Sequence, residues 1–159
     1  MGGLGGGAER TARQMTPQGV ANTFNAMSKL EAAAAPVKAS GWAGRAQAAE
    51  RTAREMNPLD VANTLNALIK LEAAAAAVSQ SGWAGLAEAL GRTARAMNPQ
   101  DVANTLNALG KLEAAKATVS ASGWTGLAEA VERTAREMDP QNVANSLNAL
   151  TKLPFRGRC

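Results

Sequence analysis

The chain has no histidine and no tyrosine among its 159 residues, and its one cysteine is Cys159. These absences exclude Cys/His zinc sites, His-based acid–base or triad mechanisms, and an intrachain disulfide framework. No apolar run reaches the roughly 18 residues of a transmembrane helix, and the glycine-rich beginning lacks the basic and apolar regions of a secretory signal. We therefore expect a soluble protein that is cytoplasmic in the producing cell, is not an enzyme, and holds no metal or cofactor.

The composition is rich in alanine, and the chain carries a small net positive charge. Hydrophobic residues make up 46% of the sequence but aromatic residues only 3%. A core built mainly from alanine must form by close approach of backbones, since few large side chains are available to fill it. The 17 Lys and Arg against 13 Asp and Glu give a net charge of +4, which favours an anionic partner without requiring one.

The sequence repeats itself with a period of 41 residues. Trp42, Trp83 and Trp124 have this spacing. The same spacing separates Pro17, Pro58, Pro99 and Pro140. This period is typical of two- or three-helix solenoid units. We therefore predict one all-α domain over residues 1–159, an α-solenoid of about four helix-hairpin repeats. Its units are residues 8–41 with a truncated front, 42–82, 83–123, and 124–159 with a truncated tail.

Each unit is predicted to contain a helix A, a tight turn and a helix B. In the third unit helix A runs roughly from Trp83 to Met97. Its apolar residues recur at steps of three and four and form one stripe: Trp83, Leu86, Leu90, Ala94 and Met97. Asn98 in the turn is a good N-cap, and Pro99 suits the first position of helix B. Thr16, Asn57 and Asp139 precede the equivalent prolines.

Helix B carries its own apolar stripe, which we expect to be buried in all four units. The stripes are Val20, Phe24, Met27 and Leu30; Val61, Leu65, Leu68 and Leu71; Val102, Leu106, Leu109 and Leu112; and Val143, Leu147, Leu150 and Leu153. The alanine run after Leu71 could simply continue helix B, but Pro36 occupies the matching stretch of the first unit and would break it. We predict a break near Leu71, a short third helix, and a new helix A after Ser81 and Gly82.

The two ends of the array lack evident caps. Glycines replace most of the first helix A, and the sequence leaves its pattern after Leu153. Because solenoid units bury their apolar stripes only by stacking on neighbours, uncapped ends expose apolar surface. We expect either a fragment or a degenerate short member of a longer array, and the uncapped ends could support self-association.

A row of asparagine and lysine residues recurs on helix B, on the face nearly opposite the apolar stripe. Its members are Asn22, Asn25, Lys29, Asn63, Asn66, Lys70, Asn104, Asn107, Lys111, Asn145, Asn148 and Lys152. Asparagine is a poor helix former, so its fixed recurrence requires a reason. The amides could bind the backbone of an extended peptide or the base edges of a single strand. Alternatively, they could hydrogen-bond the neighbouring turn and fix the stacking.

Helix A carries a recurring Arg-Thr-Ala-Arg word on the side away from the tryptophans. It provides a candidate ridge for anionic ligands: Arg51, Arg54, Arg92, Arg95, Arg133 and Arg136. Glutamates precede several of these arginines by four residues. We expect the intrahelical ion pairs Glu88–Arg92, Glu129–Arg133, Glu50–Arg54 and Glu132–Arg136, which would neutralise much of the ridge. The tryptophans could stack a base or a peptide ring, but their register with the apolar stripe favours anchors of the core.

Short sequence motifs of this chain resemble those of two protein families. Residues 61–68 (VANTLNAL), followed by a Lys-Leu pair, and residues 147–154 (LNALTKLP) resemble the tandem units of SKWP-repeat type III effectors of plant-pathogenic bacteria. That resemblance implies a HEAT/armadillo-like α-solenoid of 42-residue repeats, delivered into a host cell, without an assigned catalytic centre. Residues 99–109 (PQDVANTLNAL) are similar to a word of the octotricopeptide repeats, which bind RNA.

We therefore expect a non-catalytic, effector-like helical-repeat scaffold that binds a host protein or an extended peptide through the asparagine–lysine row. Single-stranded RNA binding through the same row is one alternative. A purely structural spacer without a ligand is the other. No membrane partner is expected.

Overall fold

The computed structural model describes residues 5–30 and 37–153. This part of the chain contains ten α-helices, three short 3-10 turns and no strand. The helices are α1 (Gly5–Gln14), α2 (Pro17–Lys29), α3 (Ala39–Thr52), α4 (Pro58–Lys70), α5 (Glu72–Ala77), α6 (Gln80–Thr93), α7 (Pro99–Lys111), α8 (Glu113–Thr118), α9 (Ala121–Thr134) and α10 (Pro140–Leu150). The 3-10 turns are Ala53–Glu55, Ala94–Ala96 and Ala135–Glu137.

Like helices stack on like helices along the array. The A helices α1, α3, α6 and α9 pack against one another in order, and so do the B helices α2, α4, α7 and α10. The short helices, which we call helix C, are α5 and α8. Each packs against helix A of its own unit. This arrangement confirms the predicted all-α repeat solenoid.

The turn before helix B is built by the predicted caps. The Oδ1 atom of Asn98 accepts a hydrogen bond from the backbone N–H of Asp101 at 2.7 Å, and the Asp101 carboxylate accepts one from the Asn98 N–H at 3.4 Å. Asn57 and Asp60 form the same reciprocal capping box. Because these bonds satisfy amides that lack partners within the helix, the sequence fixes the start of helix B locally.

Helix A begins three residues earlier than predicted. In the third unit Ser79 is the N-cap, and its hydroxyl accepts a hydrogen bond from the Gly82 N–H at 3.0 Å. Ser81 and Gly82 therefore lie inside the first turn of α6 instead of resetting the chain. The α-helical part ends at Thr93 and a 3-10 turn follows, so that Met97 stands outside the helix in extended conformation.

The predicted break after helix B is confirmed. Leu71 leaves the helical region with φ −111° and ψ 76°, and α5 starts at Glu72. Leu30 and Leu112 occupy the same place with closely similar angles. Pro36, which suggested the break, lies outside the described residues.

The core runs through the array as one cluster of buried residues. Each of the first three B helices packs against the following helix B and against helix A of the following unit. Leu65, Leu68 and Leu106 are each at most 1% exposed. Small residues allow the A helices to approach closely: a Cβ atom added to Gly91 would lie 3.4 Å from the Cα of Gly123. Within the described ranges no helix is long and apolar enough to cross a membrane.

The burial predicted for the B stripes is wrong in part in the first and last units. In the first unit, Leu30 is 59% exposed, because no described helix B precedes α2 to cover it. Val143 is 37% exposed and Leu147 is 60% exposed, while Leu153 is buried. The equivalent side chains in α4 and α7 are covered by the helix B that follows them. No described helix follows α10, so its outer stripe stays uncovered.

Candidate ligand-binding surface

The asparagines of helix B lie on its two flanks, at the junctions between neighbouring B helices. Asn22, in the first unit, is exposed, whereas its equivalents in units with a preceding neighbour are half-buried: Asn63, Asn104 and Asn145. Asn148, in the last unit, is exposed, whereas its equivalents in units with a following neighbour are half-buried: Asn25, Asn66 and Asn107. The first asparagine of units two to four is therefore partly covered by the preceding unit, and the second asparagine of units one to three by the following unit.

Each junction consequently has one amide on either side. The three pairs are Asn25 with Asn63, Asn66 with Asn104, and Asn107 with Asn145. Within the described residues, the four amides of the two inner B helices make no side-chain hydrogen bond: Asn63, Asn66, Asn104 and Asn107. The hydrogen bonds to the neighbouring turn that a purely structural role would use are not formed in this part of the chain.

Three lysines of the row, Lys29, Lys70 and Lys111, end their helix B, and Lys152 lies two residues beyond the end of α10. Lys29, Lys70, Lys111 and Lys152 are all exposed. Their position suits the helix dipole, which favours positive charge at the C-terminal end. Neither Lys70 nor Lys111 takes part in an ion pair with the described residues. The row therefore presents a positive edge beside the amides.

A fourth position on this face escaped the sequence analysis. Gln18, Leu59, Gln100 and Gln141 are exposed, four residues before the first asparagine of each unit. At about 100° per residue, spacings of four, three and four place this position, both asparagines and the lysine on one face. We call these four positions together the helix B face. The four-residue spacing from the first asparagine is the sequence signal for this position. It is hard to recognise because the position lies next to the proline of the turn.

The arginine ridge divides into two rows with different partners. In the inner row the guanidinium of Arg92 donates to the carbonyl oxygens of Ala53 and Met56 at 3.2 and 2.9 Å. Arg51 makes the same two bonds to Ala12 and Met15. Arg133 donates to the Met97 carbonyl at 2.7 Å. Each of these arginines thus caps the end of helix A in the preceding unit, a contact that we call the arginine staple.

The outer row consists of Arg54, Arg95 and Arg136, which are all exposed. The Nε of Arg95 lies 2.7 Å from a carboxylate oxygen of Glu129 in the next unit. This hydrogen bond and the opposite charge lower the pKa of Glu129 and raise the pKa of Arg95. Arg54 and Arg136 make no ion pair with the described residues.

The intrahelical ion pairs expected on helix A are absent from the described part of the chain. Arg92 and Arg133 turn instead to backbone carbonyls, and Glu129 turns to Arg95. Glu50 accepts hydrogen bonds from the hydroxyls of Ser79 and Ser81 at 3.1 and 2.6 Å. Contacts between units have replaced the pairs within one helix, because the stacked neighbour offers partners with fixed positions.

Two of the three tryptophans belong to the core. Trp42 and Trp83 are 4% and 7% exposed, and Trp124 in the last unit is half-buried against the same core. Arg45 lies over the Trp42 ring at 5.9 Å from its centroid. Such burial leaves Trp42 and Trp83 without a free ring face for stacking a ligand.

Acidic groups form no cluster on these surfaces. Among the described residues no group of three His, Cys, Asp or Glu side chains could hold a metal ion. Burial raises the pKa of Asp101, although its bond from the Asn98 backbone acts in the opposite direction. Asp101 serves the cap of α7, so its shifted pKa reflects a structural position.

One protein family matches a segment in each of the four units. The family described as "Protein of unknown function (DUF1601)" matches residues 9–24, 46–65, 84–106 and 126–147, about half of the chain. Every matched segment runs from helix A through the turn into helix B. No curated protein and no solved structure matches the chain. Because four successive segments match one model, the chain is a repeat protein that belongs to the DUF1601 family.

Proposed function

We propose that the protein is a non-catalytic scaffold that binds an extended peptide along the helix B face. The unpaired amides of the two inner B helices carry the proposal. They are half-buried and make no hydrogen bond with the described residues. Each carboxamide offers two donors and an acceptor. A peptide backbone has the complementary groups at every residue.

The spacing of the B helices suits an extended chain. Packed helices lie about 8–10 Å apart, and small side chains favour the short end of this range. The B junctions are lined by small residues: Ala62, Ala103, Ala108 and Ala149 are all at most 3% exposed. A polyproline II helix rises about 3.1 Å per residue with three residues per turn, or about 9 Å per turn. One unit would thus contact one turn of such a ligand, in the same way each time.

The charge of the surface suggests the composition of that peptide. Lys70 and Lys111 are exposed and unpaired beside the amides. A peptide with an acidic residue at every third position would bring one carboxylate to each lysine. The polyproline II conformation needs no internal hydrogen bonds, so its backbone groups remain available to the amides.

The resemblance to SKWP-repeat effectors adds a cellular setting to the proposal. An effector-like protein of this kind would be delivered to a host cell and would bind a host protein there. Outside that setting the protein would act in the cytoplasm of the cell that makes it.

RNA binding through the same face has less support. Half of the ridge that could contact phosphates, the inner row, is occupied by the arginine staple. The exposed cations of the ridge that make no ion pair with the described residues, Arg54 and Arg136, lie in the 3-10 turns after helix A, whereas the amides lie on helix B.

A binding experiment separates these functions. The probes are a fluorescent (Glu-Pro-Pro)4 peptide, its (Lys-Pro-Pro)4 counterpart, and a single-stranded oligo(U) RNA of similar length. We expect the acidic peptide to bind most tightly. If RNA is the ligand, the oligo(U) should bind most tightly, and its affinity should fall by roughly tenfold or more between 50 and 200 mM salt. Failure of all three probes to bind would contradict the proposal and favour a spacer.

A variant tests the amides directly. The variant replaces four amides by alanine: Asn63, Asn66, Asn104 and Asn107. The affinity for the acidic peptide should fall by at least about tenfold, since each lost hydrogen bond is worth about 0.5–1.5 kcal/mol. Stability in urea should hold or rise, because alanine is the better helix former. The matched control replaces two exposed amides of helix A, Gln47 and Gln80, and should bind as the wild type does. Lost stability with unchanged affinity would make the amides structural.

A further inference from the structure

The last helix B presents a face that the array covers everywhere else. Val143 and Leu147 are 37% and 60% exposed. The residues in the same positions of α4 and α7 are at most 1% exposed: Val61, Leu65, Val102 and Leu106. In the inner units this face packs against the helix B of the following unit. The uncovered face of α10 is therefore half of a junction that the chain forms three times within itself.

The first helix B presents the other half of that junction. Ala26 is exposed and Leu30 is 59% exposed. In α10, which has a preceding neighbour but no described following one, the equivalent Ala149 and Leu153 are 3% and 8% exposed. The preceding unit therefore covers these positions in α10, and no described helix B precedes α2 to cover them.

The arginine staple is also divided between the two ends. Arg10 occupies the place of Arg51 and Arg92 in the first unit, but it is exposed and makes no hydrogen bond with the described residues. At the opposite end, the carbonyls of Ala135 and Met138 correspond to those that Arg92 binds in the preceding unit. They accept no side-chain hydrogen bond in the described part of the chain. Among the described residues, the arginine donor is therefore unpaired at the first unit, and the carbonyl acceptors are unpaired at the last unit.

We propose that copies of this chain associate head to tail, with α10 of one copy seated against α2 of the next. The interface repeats the one that joins α7 to α10 within a single chain. Arg10 of the second copy donates to the Ala135 and Met138 carbonyls of the first. Such an interface is heterologous, so every added copy leaves a new pair of ends and the assembly grows as a chain of copies. This inference is independent of the proposed peptide binding.

Sedimentation velocity under reducing conditions, which keep Cys159 from cross-linking copies, tests the association. From about 1 μM to about 1 mM, a range that covers weak interfaces, the wild-type mass should rise through dimers to longer species. Leu147→Glu should remain monomeric throughout. Leu59→Glu is the matched control, because Leu59 is 53% exposed on the helix B face of α4, away from both ends. It should associate like the wild type.

Mixing two blocked variants tests the direction of the contact. Leu147→Glu blocks the tail, and Ala26→Glu blocks the head. Each variant should be monomeric alone, and an equimolar mixture should form heterodimers that grow no further. Both positions are exposed, so helix content by circular dichroism should equal that of the wild type; Leu147→Lys replaces Leu147→Glu if it does not.

Three results would overturn the inference. The first is a wild-type chain that stays monomeric up to about 1 mM, a limit that corresponds to about 4 kcal/mol of binding free energy. The second is association that persists in Leu147→Glu. The third is a tail-to-tail contact, which Leu147→Glu would abolish and Ala26→Glu would leave unchanged.

Discussion

At the scale of single residues, the two arginines of the Arg-Thr-Ala-Arg word have different functions despite their identical chemistry. Arg92 reaches the end of helix A in the preceding unit and binds two carbonyl oxygens there. Arg95, three positions later, points to solvent and pairs with Glu129. Carbonyls at a helix end lack partners within the helix and carry partial negative charge, so a guanidinium is a suitable cap for them.

Replacing Arg92 by methionine removes this cap and keeps most of the aliphatic stem. We expect the free energy of unfolding to fall by about 1.5 kcal/mol, the lower end of the range for hydrogen bonds to charged groups, because Arg92 is exposed. Urea denaturation measures the change. Arg54→Met is the control, since Arg54 makes no ion pair with the described residues, and its effect should stay within about 0.5 kcal/mol. Equal losses in both variants would rule out the staple as a stabilising contact.

At the scale of helices, the same sequence word has different surroundings in successive units. Residues 102–109 (VANTLNAL) and 143–150 (VANSLNAL) differ by one residue and both form helix B. Leu106 is fully buried between two neighbours, whereas Leu147 is 60% exposed. Local sequence determines that both segments are helical, and stacking determines what the helix buries.

This pair of leucines provides a matched comparison. Leu106→Ala should lower the free energy of unfolding by about 2–5 kcal/mol, because it leaves a cavity in the core. Leu147→Ala, in the same position of the next unit, should cost less than about 0.5 kcal/mol. Both are measured by urea denaturation in dilute protein, where head-to-tail contacts are not populated. Similar costs at the two positions would contradict the stacking order described here.

At the scale of the whole molecule, stability depends on how many neighbours a unit has. In a solenoid the total is approximately a sum of unit terms and nearest-neighbour interfaces. Helices α4 and α7 have a B helix on each side, while α2 and α10 have one on a single side among the described residues. The middle of the array should therefore be more stable than its ends.

Amide hydrogen exchange should show this gradient. Slowest exchange is expected for the buried turns of α4 and α7, with faster exchange toward α1 and α10, because local opening starts where the fewest contacts must break. Mass spectrometry of the exchanged protein at low concentration measures it. Uniform protection across all four units would mean that the array unfolds as one cooperative block.

The repeat period and the helix boundaries around helix B depend on interactions between residues close in sequence, so the sequence alone predicts them. The 41-residue period, the caps at Asn57 and Asn98, and the break at Leu71 all act within a few residues along the chain. The common outward face of the asparagines and lysines also follows from helical geometry alone. For the same reason the start of helix A was misplaced: Ser79 and Ser81 both resemble caps, and local signals do not distinguish them.

Tertiary structure decided everything that depends on a neighbouring unit. It gave Arg92 backbone partners in the preceding unit where the sequence suggested Glu88, and it left Val143 and Leu147 uncovered in a stripe that reads as core. It also set the asparagines at the junctions and left the inner four without a side-chain hydrogen bond to the described residues. Identical words in successive units cannot specify these differences, because the partner of a side chain depends on which unit lies beside it, and only the stacked array supplies that neighbour.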